Sequence, residues 1–118
     1  GGGLAAGIAP ALVFSLVIAV VVSPFVEELL FRGVLQRALA DGLRASGPAV
    51  SAAVSIAITT AVFVAAHVVG GGIQTGLLLP TIAVGVVCGL LTATTDRLAG
   101  ALTAHIVHNA IGAALLLW

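Results

Sequence analysis

Charge is what this chain most lacks. Only 7% of its 118 residues are charged, lysine is absent, and all four basic residues are arginines. Soluble domains carry about 25% charged residues. With 61% hydrophobic residues and a mean hydropathy of +1.32, a chain this short cannot hide its apolar surface from water. A lipid bilayer is its natural solvent. The formal net charge of zero gives no support to a nucleic-acid partner held by a basic face. One cysteine, Cys88, excludes an intrachain disulfide and a cysteine metal cluster, and it reads as a small core side chain. No internal repeat, lipidation motif or low-complexity tail is visible. The opening apolar stretch lacks a basic flank and a small-residue cleavage pattern, so it is not read as a cleaved signal. The first residue is Gly1 rather than methionine, and the expectation is a core fragment of a larger membrane protein.

Five apolar segments are present: residues 4–22 with Pro10 inside, 24–39, 49–69, 73–93 with Pro80 inside, and 98–118. A spanning helix needs about 20 residues, and four segments come close. Ser23 followed by Pro24 suits a helix start. Asp41, Gly42, Ser46, Gly47 and Pro48 form a turn cluster, Gly70 to Gly72 end the third segment, and Thr95, Asp96 and Arg97 separate the last two. The runs are too long for barrel strands and do not alternate polar with apolar, and within lipid only helices and closed barrels satisfy the backbone. The expected fold is an all-α polytopic transmembrane helical bundle of about five apolar helices, with residues 1–118 forming one membrane-embedded core. Gly85 and Gly89 make a small-xxx-small pair suited to close helix contact. Arg37, Arg44 and Arg97 fall on one side if the third and fourth segments span, and the positive-inside rule makes that side cytoplasmic.

Against this background the ionisable residues stand out, because each costs about 2.5–3.5 kcal/mol inside an apolar segment by insertion scales. Glu28 and Arg32 are four apart and share a helix face, so they can pair. Glu27 points about 100° away from them and is left to face a cavity. Phe63 and His67 share a face, as do His105 and Asn109, with His108 close to the latter. Each group has a role that needs no chemistry: the acids can offset a helix dipole, His67 can satisfy terminal carbonyls, and His105 with Asn109 can bond neighbouring helices. As a set, three apolar helices supply a carboxylate, two imidazoles and an amide. Those suffice for a buried water, a general base and donors to an oxyanion. Meeting has a geometric condition. At 1.5 Å per residue, His67 lies near one end of its helix and His105 about 10 Å in from the opposite side, so the helices must tilt, bend or start at different depths.

These residues resemble the CPBP intramembrane protease family, which includes the CAAX prenyl endopeptidases and bacterial Abi-type proteins. Its three motifs are matched in order by Glu27, Glu28 and Arg32, by Phe63 and His67, and by His105 and Asn109. The resemblance implies an intramembrane endopeptidase acting on a membrane-associated peptide or protein. Glu27 would be the general base on water, His67 would hold that water, and His105 and Asn109 would stabilise the oxyanion. Glu28, Arg32 and Phe63 would orient them, and His108 has no counterpart in the motifs. Family members usually have about eight membrane helices, so flanking helices are expected beyond this core.

Zinc is the open alternative: Glu27, His67 and His105 with a water would make a four-coordinate site. The chain lacks the His-Glu-x-x-His helix that gives zinc two close ligands and a base, and a ligating Glu27 would be less free to act as base. Two non-proteolytic readings remain, a non-catalytic immunity or scaffold protein of the same fold and a proton-coupled transporter using the Glu and His groups as a relay. The lysine-free, alanine-rich composition points to a bacterial plasma membrane.

Overall fold

A computed structural model describes residues 2–71 and 75–117. The described residues are helical with short turns and no strand. Four helices are long and apolar enough to cross a membrane: Ala6–Gly42, Pro48–Gly71, Leu78–Thr95 and Ala99–Leu116. Gly72, read from sequence as ending the third segment, Ile73 and Gln74 at the start of the fourth, and Trp118 at the end of the fifth lie outside the described residues.

The first two apolar segments are one helix, which corrects the expected start at Ser23. The helix runs as α1 (Gly2–Val17), a π-helical stretch (Ile18–Val22), α2 (Ser23–Glu28), a second π-helical stretch (Leu29–Gln36) and α3 (Arg37–Gly42). Ser23 itself is helical, and its N–H bonds the Ile18 carbonyl five residues back. Proline normally breaks a helix by clashing with the preceding turn and withholding an N–H. The wider turn before Pro24 relieves that crowding, so the chain passes through. Pro10 likewise sits inside α1 without ending it.

Gly47 adopts φ +92, a conformation open to glycine at little cost, and Pro48 follows as the first residue of α4 (Pro48–Gly71). Pro80 falls in the first turn of α5 (Leu78–Thr95), where its missing N–H costs nothing. Asp96 caps α5 in the left-handed conformation at φ 54, which aspartate tolerates better than most side chains. The chain then turns into α6 (Ala99–Leu117).

α5 packs against both α4 and α6, and the long first helix closes the ring against α4 and α6. Gly85 and Gly89 face α4 at close range. A Cβ on either would lie 2.9 Å from a methyl carbon, that of Thr60 or Ile56 respectively. The interior is strongly polar: Glu28, Arg32, Gln36, Ser51, Ser55, Thr59, Thr60, Thr92 and His105 are buried, beside a small apolar cluster of Phe63, Val84, Cys88 and Ala101. Leu30, Val34, Leu79 and Ile111 are exposed. That distribution suits lipid outside and hydrogen bonding within.

Helix depth brings the polar groups level. Ser51 Oγ donates to the Ala40 carbonyl at 2.7 Å, and Arg37 meets Asp96 at 3.5 Å. These contacts pin α4 and the α5–α6 turn to different points on the first helix. From Ala40 back to Glu28 is as many residues as from Ser51 on to Phe63. From Arg37 back to Glu28 is as many as from Asp96 on to His105. Phe63 and His105 therefore both arrive at the level of Glu28, because α4 starts lower than α6.

Candidate active site

Glu28 is the buried anchor. Its Oε2 accepts from Arg32 Nη1 at 3.0 Å and faces His105 Nδ1 at 2.8 Å. Arg32 is 1% exposed, and its Nη2 donates to the Gly85 carbonyl at 2.6 Å. One turn on, Gln36 Nε2 donates to the Gly89 carbonyl at 3.0 Å. Each glycine thus lets α4 approach closely and offers a carbonyl to the first helix. Gln36 was not singled out from sequence. Its signal is the spacing of four that continues Glu28 and Arg32 down one face.

Glu27 turns away from that pair and faces two imidazoles. Its Oε2 lies 3.3 Å from His105 Nε2, and its Oε1 lies 3.7 Å from His67 Nε2. The two rings are anchored from behind. His67 Nδ1 donates to the Phe63 carbonyl at 2.7 Å, which leaves Nε2 with its lone pair toward Glu27 when the ring is neutral. The contact of His105 Nδ1 with Glu28 likewise turns its Nε2 toward Glu27. Side-chain exposure rises from 1% at Glu28 and 3% at His105 to 28% at Glu27 and 32% at His67, so the cluster runs from a sealed base to an open mouth.

Phe63 is the hub. Its ring centroid lies 4.3 Å from that of His67 and 5.7 Å, edge to face, from that of His105. Arg32 Cζ lies 5.0 Å from the same centroid, in cation–π range. A cavity of about 330 Å³ opens beside the cluster, lined by Phe63, His67, His105, His108 and Asn109 among others. An apolar groove of about 700 Å³ adjoins it along Leu12, Leu16, Val20 and Ile111 and shares His108 and Asn109.

Asn109 lines the cavity, but its Nδ2 donates at 3.0 Å to the Ala19 carbonyl on the first helix. The structure thus brings Glu27, His67 and His105 together with Glu28, Arg32 and Phe63 behind them, and it gives the Asn109 amide a backbone partner. That partner has no side-chain signal in the sequence.

By donor type Glu27, His67 and His105 could take a zinc ion, although they are not among the described groups whose ligand atoms all lie within 4.8 Å of one another. Both Nε2 atoms face one carboxylate, and both Nδ1 atoms are held from behind by a carbonyl or a carboxylate, as in many metal sites. A second trio, Glu28, Cys88 and His105, has its donor atoms within 4.8 Å of one another. It does not fit a cation. Glu28 Oε2 is already taken by Arg32 and His105, Cys88 Sγ donates to the Ala101 carbonyl at 3.3 Å, and the Arg32 guanidinium lies against the site.

A family described as "Type II CAAX prenyl endopeptidase Rce1-like" matches residues 9–111. The chain belongs to that family. Rce1-like proteins are proteases, so hydrolase activity attaches to the chain at the family level. Together with its four helices long and apolar enough to cross a membrane, membership makes it an integral membrane protein. Neither a curated protein nor a solved structure matches it significantly.

Proposed function

We propose that the chain hydrolyses a peptide bond of a membrane-associated peptide or protein, with Glu27 as the general base that activates water. The observation that carries this reading is one carboxylate facing two imidazole Nε2 atoms, at 3.3 and 3.7 Å. Glu28 Oε2 is held by Arg32 and His105 behind the site and its side chain is 1% exposed, whereas that of Glu27 is 28% exposed, so Glu27 is the carboxylate placed to take a proton from water.

The roles follow from the hydrogen bonds. A water donating to Glu27 Oε1 and His67 Nε2 would satisfy two acceptors and turn its lone pairs toward a carbonyl in the adjoining cavity. Glu27 takes the proton as the water attacks. His105, its Nδ1 held by Glu28, presents Nε2 beside Glu27 at 3.3 Å and beside the cavity; a proton on Nε2 would serve the oxyanion and then the leaving amine, and the proton taken by Glu27 would pass back to Nε2. Glu28 and Arg32 hold that ring, as an orienting acid holds a catalytic histidine elsewhere. The apolar groove beside the cavity suits a substrate that arrives from the bilayer.

A zinc ion on Glu27, His67 and His105 would instead supply a water of lowered pKa and a Lewis acid for the carbonyl. Metal-free chemistry is favoured because a ligating Glu27 would be less free to act as base, and Glu28, 1% exposed, is sealed behind His105.

The test is cleavage of a peptide ending in a CAAX sequence, prenylated and unprenylated, by full-length protein in liposomes. Glu27→Gln is expected to lower kcat by about 10²–10⁴-fold. Unchanged cleavage by that variant would remove Glu27 from the mechanism. Metal analysis of active protein decides between the two modes: stoichiometric zinc lost together with activity on chelation would favour the metal.

A further inference from the structure

The first π-helical stretch creates a backbone debt that Asn109 fills. In an α-helix the Ala19 carbonyl would receive the N–H of Ser23, but that N–H goes to Ile18 instead. In a continued π register the carbonyl would receive the N–H of residue 24. That residue is Pro24, which has none, and it is buried. Ala19 O is thus passed over by both neighbours that could serve it. Lipid offers such a carbonyl no water to pair with, and here Asn109 Nδ2 donates to it at 3.0 Å.

We infer that Asn109 is a positioning residue: its side-chain amide replaces the N–H that Pro24 lacks and so fixes the turn that carries Glu27 against the turn that carries His105. The two ends of the contact lie close to the chemistry. Pro24 is three residues before Glu27 and belongs with it to α2. Asn109 is one helical turn beyond His105 on α6. The bond from Asn109 to Ala19 is thus a second rung between the same two helices, beside the contact of Glu27 with His105. The oxyanion role expected of Asn109 from sequence would have to use its second amide N–H, and the activity arm of this inference rests on the proposed hydrolysis.

The test uses full-length protein in liposomes, with the Ala19 carbonyl labelled by ¹³C and ¹⁸O and read by infrared spectroscopy. Asn109→Leu is expected to move the Ala19 amide I band to higher wavenumber and to lower peptide hydrolysis by about tenfold or more. Pro24→Ala in that background gives residue 24 an N–H. Ala19 O then gains a backbone donor, whether the helix keeps the π register or reverts to α. The band is expected to return and most of the lost rate with it. Asn109→Ala removes the donor without adding bulk and must show the same band shift, so a misfolded leucine variant does not end the test. An Ala19 band unmoved by loss of Asn109 overturns the inference. So does a rate loss of equal size with proline or alanine at position 24, the result expected of an amide acting on substrate. Because the band reports on the bond without catalysis, failure of the hydrolysis reading leaves this arm intact.

Discussion

At the scale of single residues, burial decides what an ion pair contributes. Arg32 and Glu28 are 3.0 Å apart with side chains 0% and 1% exposed. Arg44 and Asp41 are closer, at 2.7 Å, with side chains 79% and 59% exposed. Water and salt screen the second pair, so Arg44→Ala is expected to change stability by no more than about 0.5 kcal/mol. Arg32→Met leaves a buried carboxylate with only His105 as partner and is expected to cost about 3 kcal/mol or more. Glu28→Met combined with Arg32→Met removes both charges and should recover much of that stability, while hydrolysis stays low because the His105 ring has lost its anchor. Equilibrium unfolding in detergent or bicelles reads all three. An Arg32→Met protein as stable as the parent would mean that Glu28 does not depend on this cation.

At the scale of helices, the closest approach is α4 on α5. An added methyl at Gly85 would meet Thr60 Cγ2, and one at Gly89 would meet Ile56 Cγ2, each at 2.9 Å. Both neighbours are β-branched and stiff at χ1 within a helix, so they cannot swing aside cheaply. Gly85→Ala is expected to destabilise by about 1–3 kcal/mol. Adding Thr60→Ser, which deletes the obstructing methyl, should return most of that loss. A Gly85→Ala protein with an unchanged melting temperature would show that α5 can slide away from α4. The same contact also sets the site, since the Gly85 carbonyl receives Arg32 and displacement of α5 should loosen the Arg32–Glu28 pair.

This packing was legible in part because glycines four apart in an apolar run suit close helix contact, and the polar residues were conspicuous because each is costly in lipid. Other features left no such mark. Ser23 and Pro24 read as a helix start, since a π turn has no composition of its own and its effect is to let the proline pass. The relative depth of α4 and α6 depends on distant contacts, Ser51 with Ala40 and Arg37 with Asp96, which no local spacing encodes. Spacing did separate Glu27 from the face of Glu28 and Arg32, but what Glu27 turns toward required knowing those depths.

For the molecule as a whole, the four spanning helices place both turns that carry arginines at one end. Arg37 at the foot of the first helix reaches Asp96 in the α5–α6 turn, and Arg44 lies in the α3–α4 turn. The turn between α4 and α5, including Gly76 and Leu77, lies at the other end beside the open mouth of the site, where Leu77 lines the cavity with His67. No arginine or lysine falls there. The asymmetry predicts that the arginine end is cytoplasmic in a bacterial cell and that the mouth faces the opposite side. Single-cysteine variants in a Cys88→Ser background test this, because Cys88 is buried and free. Gly76→Cys is expected to react with a membrane-impermeant maleimide in intact spheroplasts. Ser46→Cys should react only after the membrane is opened. The reverse pattern would invert the topology and place the mouth of the site toward the cytoplasm, where it would meet substrates emerging from that side. Mixed labelling at both positions would show that Arg37, Arg44 and Arg97 do not set its direction.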